Sequence, residues 1–390
     1  MKRKILIFLS LNPEDGGKFQ YSITLLENIT ELDKNLFDVI ALYYSDLWKI
    51  YLQKFGIQGY KISNAESFWF NKSRKLFVDI FPFLWLWRKI NRYLSQVYKN
   101  INSFKPDLII YPGGCNLSYE FDFPSIVPIF DLMHRYEDFP EVKEKTIYNS
   151  REKHYKNVCK YANGIFVDSK LGKSQVIESY KVDEKKIIVF PYQPPYYVYD
   201  FNDIDVITKY NLPVKYYFYP AQFWVHKNHK IIIEAVKYLN EKGIHMNVVC
   251  AGSEKNGYEK VITLIENYNL QNQFFILGYV NNDELVSLYK RAQALVFPTF
   301  FGPTNIPPLE ALALGCPVLV SDVYAHREQL CDNVIYFDPF DYKDLASKLD
   351  LFCSNNFSER SKKNDNYRNT FYKIRQSNYE SIKKIISELA

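Results

Sequence analysis

FGPTNIPPLEALALGCPVLVSD, Phe301 to Asp322, opens as a turn crowded with Gly, Pro and Asn and closes as a short apolar run that reads as a buried strand. The strand-like ALVFPTF, Ala294 to Phe300, leads into it, and the pattern predicts a helix from about Leu309. Backbone N–H groups at a helix N-terminus, with the helix dipole behind them, form an anion site, most usefully for a phosphate. Glu310 then falls in the first helical turn, where the dipole favours its charge and its two oxygens can accept from both hydroxyls of a ribose. A capped helix after a Pro-rich turn accounts for the same residues without any ligand.

Working outward, short runs rich in Ile, Val and Phe alternate with longer helix-like stretches. KILIFLS, FDVIALYY, PDLIIYPGG, IVPIFDL and GIFVDS occupy the first half, and YYFYPAQ, MNVVCAGS, FFILGYV, ALVFPTFFG, CPVLVSD and VIYFDP the second. Continuous apolar strands alternating with helices indicate parallel sheets covered on both faces, so the expected class is α/β. FPYQPPYYVYDFNDIDV, Phe190 to Val206, carries three prolines that hold the chain extended and reads as a linker. The expected organisation is therefore a doubly wound, Rossmann-like domain over 1–190, a linker over 191–206, a second such domain over 207–370, and a C-terminal helix over 371–390 that crosses back to the first. The two domains are expected to face each other across a cleft, with ligands at the carboxyl ends of the strands.

Composition sets limits on function. A chain of 390 residues is long for one core, and 49 Lys plus Arg against 44 Asp plus Glu give a net charge of +5, too little for a nucleic-acid footprint. Cys115, Cys159, Cys250, Cys316, Cys331 and Cys353 show no C-x-x-C spacing, which argues against a zinc module or redox dithiol and fits a reducing compartment. MKRKILIFLSLNPEDGG reads as a first buried strand, since Pro-Glu-Asp-Gly-Gly follows where a leader would have a small-residue cleavage site. No apolar run approaches the ~20 residues of a membrane span.

Further stretches carry candidate chemistry. In YPAQFWVHKNHKIIIEAV, Tyr219 to Val236, Lys227 places an ammonium at a strand end, where it can neutralise diphosphate charge; a solvated loop lysine is the plainer reading. In NPEDGGKFQYSITLLENI, Asn12 to Ile29, Gly16 and Gly17 let a backbone approach a ligand closely, or simply make a turn. In VPIFDLMHRYEDFPE, Val127 to Glu141, Asp131 and His134 are groups suited to holding sugar hydroxyls or accepting a proton, or a satisfied structural pair. Gly278, Tyr279 and Val280 end the FFILGYV strand. Asp203 and Asp205 have D-x-D spacing but lie in the linker. From Phe68 to Leu94, Trp69, Trp85 and Trp87 alternate with Lys72, Arg74, Lys75, Arg88, Lys89 and Arg92, which suits either an anionic membrane surface or two helices with basic outer faces.

IPPLEALALGCPVLVS, Ile306 to Ser321, resembles the P-x-L-E-A-x-A-x-G-x-P-V-x-x-S signature of the retaining glycosyltransferases of family 4, which have the GT-B fold. The resemblance runs through most of the chain and is most specific in the second half. It implies that Glu310 is the second of two glutamates eight residues apart, the one holding the ribose; the first falls on Gly302, with Thr304 and Asn305 as replacements. Lys227 and Asn228 match the K-N of a pattern G-R-L, three residues, K-N or K-G, whose Arg position is occupied by Gln222. Gly16 and Gly17 match a Gly-Gly loop. Asp131 and His134 match a segment of bacterial polysaccharide mannosyl- and rhamnosyltransferases in which Phe130 replaces a His. The implied donor-binding set is Gly16, Gly17, Gln222, Lys227, Asn228, Gly278, Tyr279, Val280, Thr304, Asn305, Ile306 and Glu310, and the implied catalytic set Asp131, His134, Lys227 and Glu310. The implied activity is hexosyl transfer with retention, from a GDP-, UDP- or dTDP-linked sugar to a glycan or lipid-linked glycan, with no obligatory cofactor or metal and no nucleic acid. The expected location is cytoplasmic, peripheral at the membrane through Phe68–Leu94. A catalytically impaired sugar-nucleotide-binding relative and a sugar-nucleotide epimerase remain open beside it.

Overall fold

The computed structural model describes residues 2–80, 83–302, 304–354, 371 and 373–384. Among them the chain forms two parallel sheets. The first holds β1 (Arg3–Leu9), β2 (Phe37–Tyr43), β3 (Gln58–Lys61), β4 (Leu108–Ile110), β5 (Ser125–Pro128), β6 (Gly164–Val167) and β7 (Ile187–Val189), in the order β3-β2-β1-β4-β5-β6-β7. The second holds β8 (Tyr217–Pro220), β9 (Val248–Ala251), β10 (Phe274–Ile276), β11 (Ala294–Phe297), β12 (Val318–Ser321) and β13 (Ile335–Phe337), in the order β10-β9-β8-β11-β12-β13.

The apolar runs explain the architecture. From Ile5 to Leu9 every side chain is buried, as is every one from Ala294 to Phe297, so both faces of these strands need cover, and the helices between strands supply it. Ile5 pairs with Val39 on one side and Leu108 on the other, and Phe218 pairs with Val249 and Leu295. β1 and β8 are thus the strands at which the order reverses in each sheet. The crevice outside their carboxyl ends is the place where such sheets bind ligands. The Gly16-Gly17 loop follows β1 and the Gln222–Lys227 loop follows β8. The Thr299–Asn305 turn follows β11, the neighbour of β8.

Two compact units result. One takes in Met1–Leu132, Tyr148–Pro191 and Arg375–Ala390, the other Met133–Ile147 and Tyr192–Ile374. The expected first domain of 1–190 is therefore interrupted, because Met133–Ile147 packs in the second unit. There Met133 and Val142 are buried with Phe301, and Phe139 stacks on Phe300 at 5.8 Å. In the first unit Arg375 bonds Glu27 at 3.1 Å and Glu31 at 2.8 Å, and Asn378 Nδ2 donates to Pro191 O at 3.0 Å. The expected final helix extends to Ala390, of which 385–390 lie outside the described residues, as does the end of the expected second domain, 355–370.

Candidate functional site

In the second unit the opening stretch forms a helix over Ile306–Ala313, three residues earlier than the pattern predicted. Pro307 and Pro308 hid the start: the first turn needs no N–H donors, so proline is accepted there. Glu310 consequently lies beyond the first turn, and the dipole is not what holds its charge. Two phenols are. Tyr197 Oη donates to Oε1, and Tyr289 Oη donates to Oε2 at 2.7 Å. Glu310 is buried, and burial raises its pKa although both phenols favour the charged form. Burial, reinforced by the Glu310 charge, lifts both tyrosines well above their usual value, so they remain donors. Each carboxylate oxygen keeps a second lone pair for a ligand hydroxyl.

The turn is a narrower anion cradle than expected. Pro307 and Pro308 carry no N–H, Pro303 lies outside the described residues, and the N–H of Asn305 already donates to Gln329 Oε1 at 3.0 Å. Thr304 and Asn305 are buried. Gly302 has φ of +136°, a region that L side chains rarely adopt.

Lys227 ends the short helical turn Val225–Lys227 and its ammonium lies 3.5 Å from Asn305 Oδ1 and 5.4 Å from the centre of the Phe297 ring. Its carbonyl accepts from Tyr219 Oη at 2.5 Å, while Phe300 N donates to His226 O at 2.9 Å, so the two loops are tied together. Gln222 Oε1 accepts from the Trp224 indole at 2.9 Å. Asn228, expected among the donor-binding residues, is bound to its own fold through its donors. Its buried Nδ2 donates to Pro298 O at 3.1 Å and Pro339 O at 2.9 Å, and its N–H to Val225 O. Left-handed at φ of 55°, it turns the chain into the helix His229–Asn240. Gly278 is also left-handed and its carbonyl accepts from Gly252 N at 2.7 Å; Tyr279 is exposed and Val280 half-buried.

His226 faces Glu141, which sequence reading passed over. Glu141 Oε1 accepts from His226 Nδ1 and, at 3.2 Å, from its N–H, and Oε2 accepts from Asn256 Nδ2 at 3.2 Å. Burial pushes the Glu141 pKa up, but these bonds outweigh it and hold the group at about 2. His134 is fully buried in the same segment.

In the first unit Gly16, at φ of 59°, precedes Gly17, which begins the helix Gly17–Ile29. Asp131 is paired with Arg151, whose guanidinium also donates to Asp131 O at 3.3 Å. Asp131 and His134 thus fall in different units. His154, half-buried, has Nδ1 3.0 Å from Asn116 Oδ1, and burial together with the charges of Lys18 and Arg151 pulls its pKa down to about 4. Phe130 meets the Tyr21 ring at 5.2 Å.

Residues 200–372 match the family model of the Glycosyl transferases group 1. The O-antigen chain mannosyltransferase RfbU of Salmonella typhimurium is 29% identical over 179 residues, 45% of this chain and 47% of its own length. The serotype-specific mannosyltransferase WbdA of Escherichia coli is 25% identical over 212 residues, 52% of this chain and 26% of its own length. The chain thus spans less than half the length of these curated relatives. A glycosyltransferase from Rickettsia africae superposes with a TM-score of 0.67 at 17% identity, over 99% of both chains. HepE of Anabaena, solved with UDP and glucose, gives 0.69 at 14% identity over 97% of this chain and 98% of its own. The fold of this chain is GT-B, and its likeness to the glycosyl transferases group 1 extends over residues 200–372.

Proposed function

We propose that the chain is a hexosyltransferase of surface-polysaccharide synthesis, moving a hexose or deoxyhexose from a nucleoside-diphosphate sugar to a glycan or lipid-linked glycan. The observation that carries this reading is the buried Glu310 carboxylate, held between Tyr197 and Tyr289 beside the switch-point loop that bears Lys227. A buried charge fixed by two donors is costly, and its remaining lone pairs match a pair of ribose hydroxyls. Lys227 and the Gln222 amide meet the diphosphate, and the ammonium stabilises the charge that grows on it as the sugar departs. Transfer proceeds on one face of the sugar, with retention, the donor phosphate oxygen taking the acceptor's proton. The matching relatives, two of which are named O-antigen and serotype-specific mannosyltransferases, support the acceptor class, and the neighbour solved with UDP and glucose supports the donor class.

The first unit presents the acceptor, with Asp131, Arg151 and His154 near the carboxyl ends of its strands. The chain is cytoplasmic and touches the membrane through Phe68, Trp69, Trp85 and Tyr93, which are exposed beside Lys72 and Lys89. No described helix is long and apolar enough to cross a membrane. Trp87 does not share this face: it is fully buried and its indole donates to Glu120 at 3.3 Å.

The test is incubation of the purified protein with UDP-, GDP- and dTDP-sugars and glycan or lipid-linked acceptors, with the product's anomeric configuration read by NMR. A retained product is expected. Donor interconversion without acceptor indicates an epimerase instead, and binding without turnover a non-catalytic relative.

A further inference from the structure

Side chains at positions 302 and 305 exclude one another. A Cβ on Gly302 would lie 2.5 Å from Asn305 Nδ2 and 2.9 Å from Oδ1, so the Asn305 carboxamide fills the room that a longer residue at 302 needs. One short helix, His326–Leu330, grips that asparagine with two side chains three residues apart. Gln329 bonds the Asn305 backbone twice: its Oε1 accepts from Asn305 N at 3.0 Å, and its Nε2 donates to Asn305 O at 2.8 Å. His326 holds the side chain, with Nε2 2.9 Å from Asn305 Nδ2.

The tautomer follows from the network. His326 Nδ1 lies 2.7 Å from Ser321 O, which only accepts, so Nδ1 carries the ring proton and Nε2 accepts from the Asn305 amide. That fixes the carboxamide with its NH2 toward the imidazole and its oxygen toward Lys227 Nζ, at 3.5 Å. The ring is fully buried; burial first, and then the Lys227 charge, lower its pKa to about 4. A second proton on Nε2 would turn the acceptor into a donor and expel the amide.

We propose that His326 and Gln329 are positioning residues for the nucleoside diphosphate: they lock Asn305 so that its neutral carboxamide oxygen, in the space Gly302 leaves, sets the Lys227 ammonium against the phosphates. This rests on the donor-binding reading of the second unit. It assigns the helix after β12 a part in nucleotide binding that its side chains perform without touching the ligand, and it gives Gly302 a positive reason in place of a missing carboxylate.

The test is titration calorimetry of UDP, GDP and dTDP against the full chain and its Asn305→Ala, His326→Ala and doubly substituted forms. Loss of one hydrogen bond that orients a charged group predicts about tenfold weaker binding for each single variant. The double variant binds no more weakly than the singles, because both act through one contact. Multiplying losses, or an unchanged Asn305→Ala, overturn the proposal while leaving the donor reading intact. Failure of the unsubstituted protein to bind any of the three overturns the donor reading and this proposal with it. Should His326→Ala fail to fold, Asn305→Leu, which keeps the volume and removes the hydrogen bonds, carries the test: unchanged binding overturns the proposal, and about tenfold weaker binding supports it.

Discussion

The Tyr289 phenol donates to Glu310 Oε2 at 2.7 Å in a fully buried setting, and it reaches the Pro307 carbonyl at 3.3 Å as well. One hydroxyl from the helix Asn282–Arg291 therefore fixes both the carboxylate and the start of the helix that bears it. Tyr289→Phe removes a hydrogen bond to a charged, buried acceptor, which costs about 1.5 to 3 kcal/mol of stability. Denaturant titration measures this, and nucleoside-diphosphate binding is expected to weaken with it.

Glu310→Gln is expected to separate stability from binding. The folded-state pKa of Glu310 is raised by burial, so between the ordinary carboxylate range and that raised value the folded chain holds the proton more tightly than the unfolded one. Stability contributed by this group is therefore lost as pH rises through that window and stays lost above it. The glutamine, with nothing to ionise, escapes that loss. Near neutrality Glu310→Gln should be at least as stable as the parent while nucleotide affinity falls. Denaturation curves run from acid to neutral pH check the sign: a stability difference that shrinks as pH rises would show that Glu310 is not a buried carboxylate under strain.

Adding a glutamate at position 302 is expected to fail. Gly302→Glu brings a Cβ to 2.5 Å from Asn305 Nδ2 at a backbone φ of +136°. Strain of this kind costs on the order of 1 to 3 kcal/mol, and the displaced carboxamide releases Lys227. Binding of nucleoside diphosphates should drop, and adding Asn305→Gly should relieve the strain without restoring binding, because the carboxamide that holds Lys227 is then gone. Calorimetry on the single and double variants decides it.

Buried histidines set the acid limit. His229 stacks on Phe223 at 4.3 Å, with Nε2 buried and unpartnered, and burial foremost brings its pKa down to about 3; His326 sits at about 4. Both are depressed below the unfolded value, so their neutral forms stabilise the fold above about pH 6.5, and that stability is lost as pH falls toward the folded pKa values. Each proton contributes a slope of about 1.4 kcal/mol per pH unit inside the window. His229→Phe should reduce the slope of stability against pH between about 6 and 4 by close to one proton, read from denaturation midpoints.

Much of this was legible in the sequence. Ile5–Leu9 and Ala294–Phe297 are continuous apolar runs, and only strands covered on both faces need those, so the parallel sheets and their order of elements follow from pattern. What was legible of the candidate site is its local placement: Gly302 and Lys227 fall in the loops after β11 and β8, and Glu310 in the helix that follows the turn, all within short motifs. What pattern could not supply are partners brought in from afar. Tyr197 is one of 33 tyrosines and sits in a tyrosine-rich linker, so nothing in its neighbourhood marks it as the donor to Glu310. Glu141 reaches His226 across 85 positions, in a segment that appeared to belong to the other domain. The helix start was misread because two prolines at its second and third positions resemble a break when read as sequence.

The two kinds of tryptophan between Phe68 and Leu94 should behave oppositely. Trp69 and Trp85 are 66% and 57% exposed, with Lys72 and Lys89 amino groups over their rings at 5.7 Å and 5.8 Å, an arrangement in which an indole can enter a lipid interface while the ammonium meets anionic headgroups. Trp87 packs on Phe70 at 5.1 Å and donates to the buried Glu120, which is also gripped by Arg74 at 2.9 Å through Nε. Trp69→Ser with Trp85→Ser should leave the unfolding midpoint nearly unchanged and abolish co-sedimentation with vesicles containing phosphatidylglycerol; vesicles of phosphatidylcholine alone should bind neither form. Trp87→Ala should instead cost about 3 to 5 kcal/mol of stability, since it opens a cavity and leaves a buried carboxylate short of a donor. If the exposed pair proves as destabilising to remove as Trp87, those indoles are packing residues and the membrane reading fails; if the double variant is stable and still sediments, some other surface carries the contact.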